Sequence, residues 1–145
     1  MPLELGKLFL NDWRGRPPHM SSQDIPLWDR FQEKHGSTFS GFYFDVALGT
    51  PSDVPDGTPE NLTKMWVRIT SKRIDAVGVK PDEYWIIEAR PEAAAGALGT
   101  ILTYRSLWLK DPPDKLPIRG VIISDVFDPD IIDQAKFHDI TLIVV

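Results

Sequence analysis

The sequence predicts one α/β domain, a mixed β-sheet flanked by helices. Three observations carry that expectation. The chain has 145 residues and 16.4 kDa, enough for one hydrophobic core and too little for two. Two segments with helical spacing of apolar residues are separated by a run of strand formers. The last thirty residues then read strand, helix, strand, giving the order helix, four strands, helix, strand, helix, strand.

Residues 1–20 read as an extended arm preceding a domain at 21–145. Pro2, Gly6, Gly15, Pro17 and Pro18 break any helix or central strand there. Its apolar residues, Phe9, Leu10 and Trp13 among them, need cover from the domain itself or from a partner. The first helix starts after Ser21-Ser22 or Asp24, tolerates Pro26 in its first turn, buries Leu27, Trp28 and Phe31, and ends at Gly36. Residues 42–48 are strand formers that place Phe42, Phe44, Val46 and Leu48 on one face. A proline-rich loop follows, and Met65, Val67 and Ile69 alternate with Lys64, Trp66 and Arg68 as a second strand. Residues 73–79 and 84–90 form a hairpin around Lys80-Pro81-Asp82-Glu83. Residues 93–110 are helical, with Ala97, Ile101, Tyr104 and Trp108 on one face, and Pro112-Pro113 closes them. A strand at 118–124, a helix opened by Asp128-Pro129 and a buried strand at 140–145 complete the chain.

Composition narrows the function classes. The absence of cysteine excludes a disulfide scaffold, thiolate zinc sites and a cysteine nucleophile. His19, His35 and His138 show no ligand spacing, and there is no G-x-S-x-G elbow. Gly96 to Thr100 lacks the Gly-Lys-Ser/Thr ending of a phosphate loop, so those small residues are expected to let a helix approach the sheet. The longest apolar runs fall far short of the roughly 18 residues of a membrane span, and no signal-peptide pattern is present. A net charge of −5 argues against broad nucleic-acid binding. Yet Lys64, Arg68, Lys72 and Arg73 lie in an acid-free stretch of ten residues, a candidate DNA-contacting face.

The hairpin holds the chemistry. A loop symmetric about Pro81 and Asp82 sets Val79 opposite Tyr84, Asp75 opposite Glu88 and Arg73 opposite Arg90. Strand alternation puts the last four on one face. Opposed carboxylates destabilise a sheet unless a cation compensates them. A divalent metal and the two arginines are both candidates.

The pattern Asp75, Glu88-Ala89-Arg90 resembles the PD-(D/E)XK nuclease superfamily, in which two acids and a lysine project from a hairpin. Gly99-Thr100-Ile101-Leu102-Thr103-Tyr104 is similar to the Gly-Gln-x-x-x-Tyr segment of several of its branches, and the element order is similar to its αβββαβ core. The resemblance spans residues 22–124 and is strongest to small phage-encoded members. It implies a restriction-endonuclease-like fold, Asp75 and Glu88 as Mg²⁺ ligands, Arg90 at the lysine position, and Asp29 or Glu33 as a further acid. Two departures stand out: arginine replaces lysine, and Thr100 replaces glutamine. Arginine keeps its proton and forks in a plane, and two arginines satisfy two carboxylates without a metal. The leading expectation is therefore a non-catalytic structural or assembly protein of a phage particle, needing no cofactor. Its arm would dock on a protein partner or a second copy through Phe9, Leu10 and Trp13. It would be made in the host cytoplasm and carried in the virion. The alternatives are a Mg²⁺-dependent DNA endonuclease or exonuclease using Asp75, Glu88 and Arg90, and a DNA-binding module that does not cut. No small-molecule substrate is implied.

Overall fold

The computed structural model describes residues 2–49, 55–70 and 72–145, with the backbone alone for 66–70. Its elements are β1 (Phe9–Leu10), α1 (Ile25–His35), β2 (Gly41–Leu48), α2 (Glu60–Thr70), β3 (Lys72–Val79), β4 (Tyr84–Ala89), β5 (Glu92–Ala93), α3 (Ala95–Lys110), β6 (Ile118–Ser124), β7 (Val126–Phe127), α4 (Ile132–Phe137) and β8 (Ile140–Val144). Six strands make one mixed sheet in the order β1-β2-β3-β4-β6-β8. The first four run antiparallel, and β4, β6 and β8 run parallel. β5 and β7 form a two-stranded parallel ribbon.

Each face of the sheet has its own core. On one, Leu27, Trp28 and Phe31 of α1 pack on Phe42, Phe44, Ala76, Ile87, Val121 and Ile123. On the other, Ala97, Ile101 and Trp108 of α3, with Ala135 of α4, cover Val46, Leu48, Ile74, Val77, Ile86 and Ile122. Full burial of such side chains stabilises by about 1.5–3 kcal/mol each, so the two helical layers hold the strands in place.

The hairpin register is as the loop symmetry requires: Val79 faces Tyr84 and Ala76 faces Ile87. The expected single face of β2 is not observed. Phe42 and Phe44 point toward α1, whereas Val46 and Leu48 point toward α3. Asp45 between them has φ +53°, a left-handed backbone that turns the following side chains over. β3 turns over at the matching place, with Ala76 toward α1 and Ile74 toward α3. The pairing still runs Phe44 with Ala76 and Val46 with Ile74, so the two strands slip phase together.

Three further expectations are corrected. The strand assigned to residues 64–69 is α2. Pro59 and Glu60 open it, and the Thr63 amide donates to Pro59 O at 2.9 Å. The sheet has no place for it, because β2 already pairs with β1 and β3. The chain continues after α1 through a 3-10 turn, Gly36–Thr38, and Gly36 sits at φ −57°, so it is no left-handed cap. The glycines of α3 do not let the helix approach the sheet: a Cβ on Gly96 or Gly99 would meet nothing within 4 Å. Ala97, 1% exposed, makes that contact.

The arm lies on its own domain. Leu3 donates to Asp111 O at 2.9 Å, β1 pairs with β2, and Gln32 donates to Trp13 O at 2.8 Å. Phe9, Trp13 and Phe44 form an aromatic cluster with centroids 4.4–5.9 Å apart. The rings of Phe9 and Trp13 are thus spent inside the molecule, while Leu10 is 61% exposed. Among the described residues no helix is long and apolar enough to cross a membrane.

Candidate nuclease-like centre

The regular β3–β4 ladder reaches Ala76 and Ile87, and beyond it a side chain takes over. The Ala89 amide donates to Asp75 Oδ2 at 2.9 Å. Asp75 is therefore part of the sheet's hydrogen bonding as well as of the site, and this bond fixes its carboxylate against Glu88. The Glu88 carboxyl hydrogen-bonds Asp75. Glu88 is only 5% exposed, so water does little to separate the two acids. Burial pushes Glu88 up to about 9, the hydrogen bond to Asp75 and its charge add to the rise, and Arg90 opposes it. Near neutral pH the Glu88 carboxyl thus keeps its proton beside Asp75.

Arg90 Nη2 lies 3.2 Å from Glu88 Oε2 and also donates to Thr100 Oγ1 at 3.2 Å. Its backbone is held by the bond from its amide to Ile123 O. Thr100 at the glutamine position thus positions the guanidinium. Tyr104, one turn further along α3, is pushed above its ordinary range by burial and then by the charges of Glu88 and Asp75, with Arg90 opposing. Its phenol keeps its proton and remains a hydrogen-bond donor.

Asp75, Glu88 and Arg90 are brought together as the hairpin register requires. Arg73 is not with them. The phase slip carries it to the other side, where Nη1 donates to Asp45 O at 3.1 Å and lies 3.4 Å from Asp45 Oδ2. His19 Nε2 is 3.9 Å from the same carboxylate. The expected quartet is therefore broken, and among the described residues Arg90 supplies the guanidinium on the acid pair. Lys72 takes the place on the α3 face that alternation assigned to Arg73, and it lines a cavity beside Thr100 and Tyr104. Lys64 is exposed on α2, four residues before Arg68, whose side chain lies outside the described residues.

Asp29 and Glu33 occupy exposed positions of α1. The acid in electrostatic reach is Asp24, at the start of that helix. Its pKa is raised by burial, against a Ser21 hydrogen bond, and Asp75 and Arg90 act on it in opposite directions. Asp24 makes no side-chain cap for α1. An acid before a helix reads as a cap in sequence, which conceals this role.

Hard carboxylate oxygens held beside each other are a donor set that fits a divalent cation, because a cation offsets the mutual repulsion that helps raise the Glu88 pKa. Among the described residues no group of three or more His, Asp or Glu is arranged to hold a metal. Two protein carboxylates are nonetheless a usual complement for magnesium, which keeps several waters and takes substrate phosphate oxygens.

No family model and no curated protein matches the chain. A solved complex of EndoMS with double-stranded DNA superposes on 92% of this chain with a TM-score of 0.51 and 9% sequence identity. The fold is nuclease-like. This chain covers 49% of the length of that EndoMS chain, so the likeness concerns the architecture of about half of it. At that identity it speaks to fold alone.

Proposed function

We propose that the centre on β3 and β4 binds a divalent cation between Asp75 and Glu88 and acts on DNA phosphodiester bonds, as a Mg²⁺-dependent deoxyribonuclease. The observation that supports this reading is Glu88, buried beside Asp75 on the hairpin, with Asp75 fixed there by the Ala89 amide. With Arg73 held on Asp45, Arg90 is, among the described residues, the arginine that bears on Glu88, Asp75 and Asp24, and a divalent cation would compensate the carboxylates further. A bound cation supplies polarisation of the phosphate and a more acidic water.

The remaining roles belong to the chain. The Ala89 amide holds the Asp75 carboxylate in place. Glu88 releases its proton as the cation enters, so binding is weaker at lower pH. Arg90 keeps its proton and therefore cannot act as a base. It offers a guanidinium to a phosphate oxygen, oriented by Thr100. Tyr104 offers a phenolic proton.

A second reading is favoured by Arg90 itself: a nuclease fold turned to a non-catalytic assembly role, including one in a phage particle with a protein partner. The arm lends this less support than its sequence promised, because Phe9 and Trp13 pack on β2 and its neighbours. A nicking assay on supercoiled plasmid with Mg²⁺ or Mn²⁺ separates the readings. Asp75→Asn is the proper control, since it keeps an acceptor for Ala89. Cleavage by wild type that is lost in Asp75→Asn supports the nuclease. Cleavage absent from wild type but gained by Arg90→Lys with Thr100→Gln supports the assembly role. A third outcome, metal-independent DNA binding without cleavage, would identify a non-cutting DNA-binding module.

A further inference from the structure

Beside the acid pair, on the α3 face of the sheet, lies a cavity of about 410 Å³ lined by Lys72, Gly96, Gly99, Thr100, Thr103 and Tyr104. No carboxylate is among these six residues. One ammonium, two threonine hydroxyls and a phenol supply the polar character, and the two glycines leave the helix wall bare. A Cβ at either would meet nothing within 4 Å, so this space lies open. Thr103 donates to Gly99 O at 2.8 Å, which commits its proton. Thr100 accepts from Arg90, which keeps its own hydroxyl proton free to donate. Tyr104 stays protonated across the physiological range because burial and then the nearby acids hold its proton on. Among the described residues the lining carries a cation and two hydroxyl donors, a set complementary to an anion.

Lys72 reaches this cavity only because the strands slip phase at Asp45 and Asp75. With unbroken alternation it would stand on the α1 face and Arg73 would stand here.

We propose that this cavity is the seat of a nucleotide phosphate, with Lys72 as its cationic contact, adjoining the Asp75–Glu88 centre through the Arg90–Thr100 bond. The inference deepens the nuclease reading and rests on it for the identity of the ligand, a phosphodiester of a DNA strand. Arg90 links the two, bonding Glu88 and Thr100, and Thr100 lines the cavity with Lys72. A strand bound across both would place one phosphate near the acids and a neighbouring one at Lys72. Lys72 is a binding residue, and the lysine ammonium contacts phosphate as a compact point charge.

The test uses the full chain, with wild type compared with Lys72→Gln and Lys72→Arg. Each is first shown folded by circular dichroism; Lys72 is exposed, and the substitutions remove no buried contact. Binding of a fluorescein-labelled DNA duplex is followed by anisotropy in Ca²⁺ over a series of salt concentrations. Thymidine monophosphate and inorganic phosphate are titrated separately, with amide and hydroxyl-region shifts of Thr100 and Thr103 as the readout. The expected result is a several-fold loss of DNA affinity in Lys72→Gln, a salt slope reduced by about one phosphate contact, and recovery in Lys72→Arg. Nucleotide that shifts Thr103 in wild type but not in Lys72→Gln, with no DNA binding by either, would uphold the cavity and overturn the DNA reading. Phosphate alone giving the same shifts as nucleotide would assign the seat to a free phosphate. Wild-type affinity, slope and shifts all retained in Lys72→Gln, or no response to any of the three probes, would overturn the proposal. Cleavage is measured in parallel. A nicking activity lost in Asp75→Asn but untouched in Lys72→Gln leaves the nuclease standing and removes the cavity.

Discussion

Replacing Glu88 by glutamine should make the protein more stable as the pH rises, a result opposite to the usual expectation for deleting a buried hydrogen-bonded side chain. Folding moves the Glu88 pKa from 4.5 to about 9. Below pH 4.5 the carboxyl is protonated in both folded and unfolded chains, and its contribution to stability is at its fullest. Between those two values the folded state keeps a proton that the unfolded state has lost, so stability falls by about 1.36 kcal/mol per pH unit. Glutamine has no proton to lose and can still donate to Asp75. The difference in unfolding free energy, Glu88→Gln minus wild type, should therefore climb by roughly 4 kcal/mol between pH 5 and pH 8. Urea unfolding followed by tryptophan fluorescence measures it, because Trp28 and Trp108 are each 1% exposed and report the loss of both cores. Titrating groups away from the pair cancel in the difference. A difference that stays flat from pH 5 to pH 8 would refute the raised Glu88 pKa and the charge argument built upon it. Mg²⁺ added to wild type at pH 8 should recover part of the lost stability and leave Glu88→Gln unmoved.

Other outcomes follow from the same geometry. Asp75→Ala should cost about 1–3 kcal/mol by leaving the Ala89 amide without its acceptor, whereas Asp75→Asn costs less; equal losses in thermal unfolding would contradict the bond's structural part. Gly78→Ala would put a Cβ 2.5 Å from the buried Phe39 ring, and the overpacking should cost roughly 1–3 kcal/mol, which an unchanged urea midpoint would disprove. Phe9→Ala should destabilise the isolated protein by about 1–2 kcal/mol with no change of mass in light scattering. A changed mass with unchanged stability would return the arm to a partner.

The hairpin was legible because a four-residue loop admits one symmetric register and the alternation holds from Ala76 to Val79. It failed beyond Asp75, at Ile74 and Arg73, because no residue type announces a paired phase slip. Asp45 reads in sequence as a polar position on an amphipathic strand, and only its left-handed backbone explains Val46 and Leu48 changing sides. Residues 64–69 satisfy strand alternation and helical spacing alike, and the decision fell to the sheet, whose β2 had both neighbours already. The arm was legible as apolar and broken by proline and glycine; that it supplies an edge strand depends on a pairing across thirty residues that no local pattern specifies. Asp24, half-buried just before α1, and Asp29, exposed within it, differ in burial that no local pattern specifies.

The phase slip also decides what a mutational scan of this protein will look like. Tolerance along β2 and β3 should follow an even-odd rhythm that breaks at Asp45 and again at Asp75. Lys72 and Arg73, neighbours of equal charge, should then answer to different constraints. Arg73 is bound to architecture through Asp45 and should resist exchange for lysine; Lys72 faces open space and should exchange freely unless a ligand is present. Charge assigned by simple alternation to the β3 residues before Asp75 is therefore misplaced by one full residue. Relatives aligned on that alternation would have the two cations transposed.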